Sequence, residues 1–118
     1  MSLCILAGGA VTRLVTAAFT LWWNHSVEHI RWTEQWQVTP AGLAVVEARI
    51  EGSGAGMDPP EGALFDGSGW VYRPHVPPQK TLMLADSGVA GAWHLCVGDA
   101  CRTLGGKGGD PIVLEACP

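Results

Sequence analysis

The chain has 118 residues, 47% of them apolar and only 15% charged, with a formal net charge of -4 at neutral pH. That length suits one domain over 1–118, able to bury well over half of its unfolded surface without staples. The apolar content excludes a disordered tail, and the seven scattered Lys and Arg form no basic face of the kind phosphate binding demands, which argues against nucleic acid as a partner.

The opening MSLCILAGGAVTRLV reads as a first strand at 3–7 followed by a second at 11–16. Its apolar run is far too short to span a bilayer, has no basic residue ahead of it and is interrupted by Arg13, so the chain as written carries no export signal and no membrane-spanning segment. Next comes FTLWWNHSVEHIRWTEQWQV. Alternation places Phe19, Leu21, Trp23 and His25 on one face of a strand at 18–25, with Thr20, Trp22 and Asn24 on the other. After a turn at SVEHI, a strand at 32–38 sets Trp32, Glu34, Trp36 and Val38 on its apolar face. A carboxylate in a row with two tryptophans must be paired or exposed at the sheet's edge, because isolated burial costs several kcal/mol. His25 is the expected partner of Glu34, with Glu28 in the turn as the next candidate.

A strand at 42–50 leads into EGSGAGMDPPEGALFDGSG, whose glycines and paired prolines forbid helix and central strand alike. Loops of that length inside compact domains are often functional. The amides around Ser53, Gly54, Gly56 and Met57 suit an anion or a partner, although GSGAG is neither a nucleophile elbow nor a phosphate loop. Further strands are expected at 69–73, 80–85 and 92–97, with a short one at 112–116. The sixteen glycines and eight prolines cut the chain too often for long helices. The fold class that follows is all-β: an antiparallel, Ig-like β-sandwich of about seven to nine short strands, with tryptophans dominating its core.

Of the four cysteines, Cys96 and Cys101 flank VGDA, which reads as a tight turn between strand ends, and a disulfide there is the first candidate. Cys4 and Cys117 meet if the first and last strands are neighbours. Composition alone leaves three pairings open, with free thiols as a further alternative.

HSVEH matches the inverted zinc-protease signature, but its flanks have strand rather than helix periodicity, which argues against that chemistry. A metal- or small-ligand-binding site built from His25, Glu28 and Glu34 is the alternative, and it competes with a buried structural pair. Ser26 beside His25 keeps a hydrolase in view without positioning a base against a nucleophile.

Taken together, F-T-L-x-W-x-H-S-V-E, W-x-E-x-W, V-E-A-R-x-x-G-S-G-A-G-M-x-P-P-E-G, W-x-Y-R-P and W-x-L-C with a second cysteine resemble the bacterial family DUF1850 over roughly residues 3 to 104. The motif positions carried over are His25, Ser26, Glu28, Trp32, Glu34, Glu47, Gly54, Gly56, Met57, Cys96 and Cys101. Members of that family are typically encoded beside TAXI-type tripartite (TRAP) transporters, which move organic acids. The resemblance therefore implies an accessory role near such a transporter, and the expectation adopted is a non-enzymatic accessory or binding protein, without a cofactor, with the TRAP permease or its binding protein as candidate partners. It also favours a periplasmic, extracytoplasmic location, as do the cysteines.

Overall fold

The computed structural model describes residues 1–24, 30–52, 60–89 and 91–118. These residues form two antiparallel sheets packed as a β-sandwich. In chain order the strands are β1 (Ser2–Ala7), β2 (Ala10–Val15), β3 (Ala18–Asn24), β4 (Arg31–Thr39), β5 (Gly42–Glu51), β6 (Leu64–Phe65), β7 (Gly69–Tyr72), β8 (Thr81–Leu84), β9 (Trp93–Val97), β10 (Ala100–Leu104) and β11 (Ile112–Cys117). The small sheet runs β2-β1-β11-β8 and the large sheet β10-β9-β3-β4-β5-β7-β6. The sandwich expectation holds, with eleven strands among the described residues in place of seven to nine. The two unanticipated strands, β6 and β10, are the edges of the large sheet.

Turn chemistry fixes the hairpins. Gly8 and Gly9 both take positive φ, 59° and 80°, the conformation that a two-residue primed turn requires between right-twisted strands. Gly98, at φ 59°, does the same work between β9 and β10, where Val97 pairs with Ala100 across the expected Gly98–Asp99 turn.

The expectation that tryptophans dominate the core is corrected. The largest fully buried apolar side chains are all leucines: Leu3, Leu21, Leu43, Leu95 and Leu114. Of the tryptophans only Trp36 joins the buried cluster, at 5% exposure, while Trp23 and Trp93 pack against it half-buried. The cause is steric. Two facing sheets leave a gap about 10 Å thick that branched aliphatic side chains fill by interdigitation, whereas an indole is seldom accommodated whole.

One irregularity decides which face β5 presents. Gln35 pairs with Glu47 but Trp36 pairs with Val45, so Val46 is an extra residue in a β-bulge. Before the bulge Leu43 and Val45 meet the core, and after it Ala48 and Ile50 are buried. Uninterrupted alternation would have aimed Glu47 into the core. The bulge turns Glu47 and Arg49 outward instead.

The sheets are tied at a corner, where the Leu43 amide donates to the Gln79 carbonyl at 2.7 Å and the Gln79 amide returns the bond at 2.9 Å. A Cβ on Gly42 would lie 2.4 Å from that Gln79 oxygen, and its φ of 126° is one that side-chain-bearing residues avoid. Gly42→Ala should lower stability by roughly 1–3 kcal/mol. A urea midpoint moved downward at unchanged slope checks this, and an unmoved midpoint refutes it.

Of the pairings left open, the structure has Cys4 bonded to Cys117 and the candidate pair Cys96 to Cys101. The first bridges neighbouring strands diagonally, since Cys4 is in register with Glu115 and Cys117 with Ser2. The second joins residues directly opposite each other in β9 and β10. Two disulfides fit an extracytoplasmic location. Among the described residues no helix is long and apolar enough to cross a membrane.

Candidate functional site

Strand direction collects the motif-bearing connections. β3 ends where β4 begins, Asn24 facing Arg31, and β5 ends beside them, Ile50 facing Trp32. The connection 25–30 leaves the first pair and the connection 52–63 leaves β5, so both depart from one end of the large sheet. His25, Glu28, Ser53, Gly54, Gly56 and Met57 lie outside the described residues. Of the site residues expected from sequence, Glu34 and the two cysteines are described.

Glu34 points inward between Leu21 of β3 and Ala48 of β5. Trp36 Nε1 donates a hydrogen bond to its carboxylate at 3.1 Å. Burial pushes the carboxyl above its ordinary value of 4.5, and the indole N–H opposes that by favouring the charged form. Tyr72 faces Ala48 from the far side, and the small alanine leaves the carboxyl and the phenol on one inward row. The Tyr72 hydroxyl is pushed up by burial and then by the negative charge of Glu34. On the adjacent inward row Trp70 faces Ile50, and its buried indole Nε1 has no hydrogen-bond partner among the described residues. Among the described residues no three His, Cys, Asp or Glu side chains form a group able to hold a metal ion.

This placement has a pH signature. The Glu34 pKa is raised on folding, so the folded state binds its proton more tightly than the unfolded chain. The associated stabilisation is complete below the unfolded value of 4.5 and is lost as pH rises through the raised folded value. Glu34→Gln should therefore gain on the wild type as pH rises from below that range to neutrality, read as the difference in urea midpoint. A difference that stays flat, or that narrows, contradicts the assignment.

The opposite face of the large sheet bears an arrangement that sequence reasoning missed. A row of registered residues crosses it from Thr103 through His94, Trp22 and Thr33 to Arg49. Trp22 and His94 stack with ring centroids 3.7 Å apart and planes within 10°. From the strand on the other side, the Arg31 guanidinium lies 4.0 Å from the Trp22 ring centroid. Such a cation over an indole contributes about 0.5–1 kcal/mol at exposed sites. Burial, and then the charge of Arg31, lower the His94 pKa, so the imidazole is neutral at neutral pH. The available signal was alternation itself, which set a tryptophan on the polar face of β3. Below this row, Thr20 donates to the Gln35 side-chain oxygen at 2.7 Å.

Further along the same face Arg49 is fully engaged. Its guanidinium pairs with Asp66 and donates to the Ser68 hydroxyl. Asp66 also accepts the backbone N–H groups of Ser68 at 3.0 Å and Gly69 at 2.9 Å, which locks the turn between β6 and β7. The hydrogen bond from Arg49, reinforced by those amides, holds the Asp66 carboxyl well below the usual carboxylate range. A depression beside this pair is lined by Thr33, Gln35, Glu47 and Val71.

The family model described as "Domain of unknown function (DUF1850)" matches residues 19–104. No curated protein and no solved structure matches the chain. The matched residues run from Phe19 in β3 to Leu104 at the end of β10 and include every strand of the large sheet, but only β8 of the small one.

Proposed function

The chain belongs to the DUF1850 family, and on that footing we propose that it is a non-enzymatic accessory and binding protein of a TAXI-type TRAP solute transport system, working in the periplasm. Family membership and the two disulfides support the setting. The observation that carries the binding role is the convergence at one end of the large sheet. There both motif-bearing connections depart, and there the outer face presents Trp22, Arg31 and His94. Aromatic and arginine side chains of that kind are enriched where proteins meet. The partner is the permease or its solute-binding protein.

The test is co-purification. The tagged full chain, expressed with a TAXI-type permease and its solute-binding protein, should retain one of them through detergent extraction and washing. Substitutions across 57–61 should weaken that retention while the circular dichroism spectrum stays that of the wild type. Recovery of neither component above a tag-only control refutes the proposal.

A second reading is favoured by one specific observation, the inward, partly buried Glu34 carboxyl. A metal or small ligand held by His25, Glu28 and Glu34 would give a native mass above the denatured mass, and His25→Ala would remove that increment with folding intact. Equal masses for the wild type exclude a retained ligand.

A further inference from the structure

We infer that the outer face of the large sheet docks an extended, carboxylate-bearing segment of a partner polypeptide, with Arg31 as its anchor and with Trp22 and His94 as positioning residues. The inference rests on the chain being a binding module, and it specifies the chemistry of what is bound.

The conformation of Arg31 is the first argument. Ile50 faces Trp32, which sets Glu51 of β5 across from Arg31 on the same outer face. An exposed arginine would ordinarily turn toward that carboxylate. Arg31 turns the other way, onto Trp22, and among the described residues no carboxylate lies in ion-pair range of it. Arg49 on the same face shows the contrast, its charge neutralised by Asp66. Among the described residues, Arg31 thus presents on this face a guanidinium with no carboxylate in ion-pair range.

Pre-organisation is the second. Trp22 lies between its neighbours, stacked on His94 of β9 and approached by Arg31 of β4. A guanidinium held against a fixed indole keeps its N–H fork pointed in one direction. Bidentate capture of a carboxylate then immobilises few further rotamers. Neutral His94 adds no competing cation.

The third argument is shape. Small ligands bind in concavities that bury most of their surface. Among the described residues the row Thr103–His94–Trp22–Thr33 is instead an open sheet face, with threonine hydroxyls flanking the aromatic pair. A face that is open and polar at its margins, with a central Trp and Arg, has the anatomy of a protein-docking hot spot. The positive charge of Arg31 selects an acidic segment.

The experiment titrates the full chain with an acetylated, amidated hexaglutamate peptide, read by indole fluorescence and by amide shifts of β3, β4 and β9. Binding should be saturable and should weaken as salt is raised. Arg31→Ala should lower the affinity by about tenfold or more. Arg31→Lys should recover only part of it, because charge is restored without the planar fork. Hexaglutamine should not bind. Wild-type affinity in Arg31→Ala, equal binding of hexaglutamine, or acetate saturating the same shifts at the same concentration overturns the inference. Circular dichroism of each variant separates lost binding from lost folding. Capture of the transport proteins by Arg31→Ala as efficiently as by the wild type defeats this inference and leaves the accessory role intact. Peptide binding without any capture does the reverse.

Discussion

Replacing Cys4 and Cys117 together by serine should lower the free energy of unfolding by about 4–5 kcal/mol, the figure expected for a crosslink closing a loop of roughly a hundred residues. The two cysteines are 113 positions apart, whereas Cys96 and Cys101 are separated by 5. The same loop-entropy argument assigns the short disulfide only about 2 kcal/mol. Domains of this size have about 5–15 kcal/mol in total, so the first loss removes a large part of the stability and the second does not. Urea unfolding of the two double-serine variants at one pH provides the comparison. Equal losses would mean that the long crosslink does not act by restricting the unfolded chain.

The second large effect concerns the span shared with the family. A fragment limited to 19–104 should fail to unfold cooperatively, because it keeps the large sheet and lacks β1, β2 and β11, three of the four strands that cover its inner face. Leu3 and Ile5 of β1 and Ile112 and Leu114 of β11 all belong to the buried cluster. Each buried aliphatic side chain of this size contributes roughly 1.5–3 kcal/mol, so the four together approach the whole stability of a small domain. Leu21, Trp36, Leu43 and Leu95 would face water. Dye binding to exposed apolar surface and poorly dispersed amide resonances are the expected observations. A sharp two-state melt of the fragment would refute the argument.

These cases show where information about the fold resided in the chain. Most strands were readable because alternating apolar residues are bounded by glycine and proline, and the turn at Gly98–Asp99 was readable because few residues accept its conformation. β10 escaped because ACRTL, at a sheet edge, needs only Leu104 buried and so lacks a repeating apolar face. The bulge at Val46 escaped because LAVV is apolar at every position, and a register shift depends on the partner strand rather than on local pattern. The same reason explains the candidate site. Glu34 announced itself as a charge among tryptophans. Arg31 sat just outside the expected strand, and its significance needed His94, which only the pairing of β3 with β9 brings beside Trp22. His25, Glu28 and the 53–57 segment, which the sequence flagged most strongly, lie outside the described residues.

The neighbouring positions of β1 and β11 also constrain how the molecule is made. Synthesis delivers β11 after the other ten strands of the described residues, yet it lies between β1 and β8 at the centre of the small sheet. Until it emerges, β1 and β2 form at most an isolated hairpin, and isolated hairpins are marginal in water. Closure across nearly the whole chain is a slow, non-local step. The core is therefore a late event in biosynthesis, and pairing of the Cys4 thiol with Cys117 reports that the last layer has arrived.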